Sequence, residues 1–194
     1  AVVALLSLGS LLYFSYWAKY RLKVSPALTL IFFAGTLGLI KYSRIYMMEI
    51  PLSQLSAISS LLFFDYLYSQ KKKKLLWASL FLALASLVKG PVAIVMCIGG
   101  VGVFALINWF QQGRLFFKEI FMWGLLSVLL SSIWYLISYS NHGMEFFNYF
   151  FIRENLGKFT AKSYPIRSVI QGLLIYGAPV SFFLLIFFDK RLWK

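Results

Sequence analysis

The chain has 194 residues, 61% of them hydrophobic, 20% aromatic and only 13% charged, with a mean hydropathy of +0.79. A water-soluble domain carries about 25% charged residues, so composition excludes one and points to a membrane protein. The net charge of +13 is then a matter of where the charges stand, and it argues for no nucleic-acid partner.

Apolar runs able to cross a hydrocarbon core of about 30 Å recur along the chain. Seven spans are expected, at roughly 1–17, 27–42, 52–70, 75–88, 92–110, 120–139 and 169–188. Backbone amides in lipid must find partners within their own segment, so each span is expected to be helical. The period-two alternation of a membrane barrel is missing. The fold class is therefore all-α, a polytopic helical membrane protein with about seven transmembrane helices.

The first span opens at Ala1 inside an apolar run with no basic region before it, unlike a signal peptide. The chain is accordingly expected to be a middle section of a longer protein. Lys19, Arg21 and Lys23 follow that span. The second ends near Lys41 and Arg44, and the third begins at Glu49-Ile50-Pro51. Pro51 suits a first helical turn. Glu49 there either caps a helix N-terminus through the dipole or lines a polar cavity at the membrane edge.

Asp65 stands two-thirds along the third span and is expected to pair with a lysine at that span's end. The run Lys71 to Lys74 reads as a topology anchor beside anionic lipid. The fourth span is short, and Lys89 can snorkel to extend it. The turn Lys89-Gly90-Pro91 has no spacer. Its lysine stands beside the first amides of the next helix, an arrangement suited to phosphate. Cys97, the single cysteine, is a packing residue without a redox or metal partner.

Basic residues sort the connections into two sets. Lys19, Arg21, Lys23, Lys71 to Lys74, Arg114, Lys118, Lys190, Arg191 and Lys194 mark the cytoplasmic side. Lys41, Arg44, Lys89, Arg153, Lys158, Lys162 and Arg167 mark the outward side, which also collects most of the other polar residues. The outward segment 140–168 interleaves aromatic rings with Glu145, Arg153, Glu154 and Lys158, a pattern for an interfacial helix or an aromatic belt. His142, the single histidine, has no chelating companion. P-loop, GxSxG, HExxH and cysteine-cluster motifs are absent, so ATP-driven transport, serine hydrolysis and zinc proteolysis have no support.

Three blocks carry a family likeness: RIYMMEIPL (44–52), LASLVKGPVAIV (84–95) and WYLISYSNHGMEFFNYFFIRENLGKF (134–159). In order and spacing they resemble GT-C class membrane glycosyltransferases, in particular dolichyl-phosphate-mannose protein mannosyltransferases and lipid A aminoarabinose transferases. The resemblance implies transfer of a sugar from a polyprenyl-phosphate donor to a lipid or protein acceptor, at the extracytoplasmic face of a bacterial inner membrane. Membrane lipids are the remaining partners. It demands no cofactor and allows a divalent cation; no metal ligands are assigned.

Residue by residue, Glu49 matches the family's acid before proline and is a supporting catalytic candidate. Lys89 matches the lysine of its KGP motif and, with Arg153 and Lys158, is a candidate for the donor phosphate. Arg44, Glu154 and Asn155 are candidates for substrate binding. The family often has arginine at the place of Lys158, and a lysine there loses bidentate phosphate binding. It sometimes has histidine at the place of Asn155, which would supply a metal ligand. Its catalytic aspartate lies in a first extracytoplasmic loop, which would precede Ala1, so 1–194 is expected to be a partial transferase domain, inactive alone. A transporter or flippase of lipid-linked sugars, which should show broken helices and related halves, is the alternative, and a non-catalytic scaffold is a third option.

Overall fold

A computed structural model describes residues 2–42, 47–112, 116–157 and 165–176. Every regular element among them is helical: α1 (Val2–Arg21), α2 (Pro26–Ala34), α3 (Leu37–Tyr42), α4 (Glu49–Ser69), α5 (Lys72–Lys89), α6 (Val92–Gln112), α7 (Phe117–Phe147), a π-helix (Asn148–Leu156) and α8 (Ile166–Tyr176). Among the described residues three helical stretches are long and apolar enough to cross a membrane: α1, α4, and α7 with its π-helical extension. The chain divides into two compact units, Ala1–Ile50 with Lys162–Lys194, and Pro51–Ala161.

In the first unit α1 packs on α2, with the Phe14 and Phe33 rings 5.4 Å apart. Ser7, Ser10 and Ser15 of α1 return their hydroxyls to the carbonyls four residues back at 2.7–2.8 Å. Polar atoms on an otherwise apolar helix are thereby satisfied within it. The expected span 27–42 is not one helix. It is interrupted at Gly35 and Thr36, leaving α2 with 9 residues and α3 with 6. At 1.5 Å per residue α2 is about 14 Å long, half of a hydrocarbon core. The interruption is bridged: Gly35 N–H bonds Ile31 O at 2.9 Å, and the Thr36 hydroxyl bonds Phe32 O at 3.0 Å. Further on, Lys41 Nζ donates to the Tyr176 hydroxyl at 2.9 Å, joining α3 to α8. The expected span 169–188 is covered only as far as Tyr176, where the described residues end.

The second unit is a bundle around α5. Contacts give its directions. Asp65 pairs with Lys74 and Ser59 bonds Ala78 O, so α4 and α5 run antiparallel. Ser79 bonds Trp123 O and Tyr135 bonds Ser86 O, so α5 and α7 run parallel. Phe64 meets Phe104 and Cys97 Sγ approaches Ser56 O, so α4 and α6 are parallel too. The helices alternate up and down, and two kinds of end result. One holds the Lys71–Lys74 run and Lys118, and the other holds Lys89 and the continuation of α7.

The fourth span, expected to be short at 75–88, lies in a helix of 18 residues, Lys72–Lys89, about 27 Å long. Leu75, Ala78, Ser79, Leu82, Ala83, Ala85 and Ser86 are buried, a small-residue face wide enough for two neighbours. Leu76, Trp77 and Leu84 on the other side of α5 stay exposed. At the centre Phe63 stacks on Trp123, with ring centroids 4.4 Å apart and planes 13° apart. The Asp65–Lys74 bond at 2.8 Å bears out the pairing expected from sequence. It crosses a two-residue connection in which Gln70 takes a positive φ of 54°.

Candidate functional site

Helix α5 ends at Lys89 because Gly90 leaves helical space, at φ 85° and ψ −169°. Glycine alone populates that region freely. The Gly90 N–H still reaches Ser86 O at 2.7 Å. Pro91 and Val92 then start α6, with Val95 N–H bonded to Pro91 O at 3.1 Å. Lys89 is half-buried and Gly90 buried. The first N–H groups of α6 have no partners within their own helix, so the turn gathers a cation and a helix N-terminus in three residues.

The opposite wall comes from the end of α7. Gly143 breaks the helix at φ 58° and ψ −143°. Beyond it the chain runs on through Phe147 into the π-helix, a wider winding that recurs at functional sites. The turn-back folds its rings onto α7. Phe146 and Phe150 stack 5.4 Å apart, and both reach Trp134, at 5.8 and 6.2 Å. Phe150 and Phe151 each lie 5.5 Å from Tyr135. Tyr135 also donates its hydroxyl to Ser86 O at 2.8 Å. That carbonyl thus serves both α7 and the Gly90 turn.

Between these parts lies a cavity of about 360 Å³, lined by Ser86, Pro91, Ile94, Tyr135, Phe147 and Phe151 among others. Serine hydroxyls in the lining are spent on their own helices: Ser86 on Ala83 O, Ser131 on Val128 O and Ser132 on Leu129 O. What remains facing the space is apolar and aromatic, and the volume is that of a small-ligand pocket.

Of the candidate residues, Asn155 is brought against the Lys89-Gly90-Pro91 turn, through Gly90. Asn155 is buried, and its side chain lies against Gly90. Its Nδ2 donates to Phe150 O at 2.7 Å. Arg153 is exposed, with its guanidinium 5.8 Å from the centroid of the Tyr149 ring. Glu154, between them, is half-buried. Glu49 opens α4 as an exposed first-turn acid, as expected for an N-terminal position, and falls in the first unit. Arg44 and Lys158 lie outside the described residues. Among the described residues no three of His, Cys, Asp and Glu gather to hold a metal ion.

Ser86 and Tyr135 were not among the candidates. Tyr135 stands within the third family-like block, but a tyrosine in an apolar span reads as interface or packing. Only the contact with the α5 terminus distinguishes it.

In sequence the chain is similar to an uncharacterized protein of Aquifex aeolicus (strain VF5), 32% identical over 160 residues. The match covers 77% of this chain and 34% of that protein, so the chain spans about a third of the length of the curated relative it matches. No family model matches the chain, and no solved structure matches it.

Proposed function

We propose that the chain is part of a GT-C class membrane glycosyltransferase, with seven spans, that moves a sugar from a polyprenyl-phosphate donor to a lipid or protein acceptor. The reaction takes place at the extracytoplasmic face. Lys89 and Arg153, with Lys158, hold the donor phosphate as it becomes the leaving group. Arg44 and Glu154 contact substrate, and Glu49 assists a general base supplied from another part of the protein.

One observation carries this reading. The Lys89-Gly90-Pro91 turn and the Arg153–Asn155 run, far apart in sequence, come together beside an apolar cavity of about 360 Å³ at one end of a helical bundle. A lipid phosphate needs that combination: cations for its head and an apolar space for its chain. Alanine substitution of Lys89 and of Glu154 in the full-length protein, followed by assay of sugar transfer, tests it. Each is expected to lower transfer about tenfold or more, the scale of a charge-assisted hydrogen bond. Unchanged transfer in both variants overturns the site.

The break in the second span favours one competing reading, a transporter or flippase of lipid-linked sugars, because interrupted helices line substrate paths in transporters. Flux of labelled lipid without covalent transfer of its sugar is the result that would favour it.

A further inference from the structure

We infer that Asn155 is a positioning residue, which holds the Lys89-Gly90-Pro91 turn at the π-helix and so sets where Lys89 presents its charge. The inference rests on reading that turn as the donor-phosphate site. A methyl group added to Gly90 would lie 2.5 Å from Asn155 Oδ1, 2.7 Å from Nδ2 and 2.9 Å from Cγ. The oxygen and nitrogen both lie nearer than Cγ, so the carboxamide meets the glycine end-on, with its polar tip in the place a side chain would take. The amide cannot drift, because it is 8% exposed and tied through Nδ2 to Phe150 O at 2.7 Å.

Its hydrogen bond reaches five residues back, the step that defines a π-helix, so the side chain reinforces the winding that carries it. Gly90 in turn is fixed to α5 through its N–H on Ser86 O. An unbroken chain of contacts therefore runs from Phe150 through Asn155 and Gly90 to the α5 terminus. Lys89 directly precedes Gly90 in sequence, and Arg153 stands two residues before Asn155. A buried amide spent in this way does not touch substrate; it fixes the spacing between the two cationic segments.

Binding of a short-chain polyprenyl monophosphate to the full-length protein in detergent tests this, for Asn155→Ala, Lys89→Ala and the double variant. Thermal unfolding of each confirms folding, and Asn155→Ser carries the same comparison if Asn155→Ala does not fold. Lys89→Ala is expected to weaken binding about tenfold or more. Asn155→Ala is expected to weaken it severalfold, raising the KM for donor with little change in kcat. The double variant should be no weaker than Lys89→Ala, because Asn155 acts through the lysine. Full additivity, or no effect of Asn155→Ala beside a clear effect of Lys89→Ala, overturns the positioning role and leaves the donor site standing. No effect of Lys89→Ala overturns the donor site, and the positioning role with it.

Discussion

The Tyr135 hydroxyl and the Ser86 carbonyl meet at 2.8 Å, which ties α7 to the helix end that carries Lys89. The same carbonyl accepts the Gly90 N–H, so it keeps a partner if the tyrosine hydroxyl is lost. Tyr135→Phe should therefore cost only about 1 kcal/mol. Tyr135→Ala also loses the ring contacts to Phe150 and Phe151 and enlarges the cavity, at about 3 kcal/mol or more. Chemical or thermal unfolding in detergent distinguishes the two, and equal losses would mean that the hydroxyl, not the ring, holds the segment.

Gly90 and Gly143 both take positive φ, at 85° and 58°, but their surroundings differ. Nothing lies within 4 Å of a methyl group placed on Gly143, whereas one on Gly90 strikes the buried Asn155 amide. Gly143→Ala should carry backbone strain alone, about 1–3 kcal/mol. Gly90→Ala carries that strain and a clash that its neighbour cannot relieve. Gly90→Ala is expected to be the less stable by thermal unfolding and to lose donor binding, while Gly143→Ala retains part of it.

The two ends of the bundle carry opposite expectations for sidedness. In a Cys97→Ser background, His142→Cys should react with a membrane-impermeant maleimide in intact cells. Lys72→Cys should react only after the membrane is opened, since lysine-rich connections stay in the cytoplasm. Both positions are exposed, so protection reports the membrane and not burial. The reverse pattern would put the Lys89 end inside.

Much of the bundle was legible because its cues are local. Long apolar runs gave α1, α4, α6 and α7, and a separation of nine positions from Asp65 to Lys74 suffices for a pair across a tight turn. The interruption at Gly35 and Thr36 was not legible, because apolar composition continues across it and the bonds that bridge it leave no pattern. A π-helix has no hydrophobic period of its own to announce it. Lys89, Arg153 and Asn155 could all be named from charge and motif, Asn155 as a candidate for substrate binding, but nothing local shows that its amide is buried. Its burial against Gly90 depends on α7 turning back at Gly143, a long-range consequence of one backbone conformation.

The most direct test reconstitutes the full-length protein in liposomes with a polyprenyl-phosphate donor labelled in its sugar and a membrane acceptor. Labelled acceptor is expected, formed by covalent transfer and reduced about tenfold or more by Lys89→Ala. Passage of intact labelled lipid across the membrane with no labelled acceptor would contradict it.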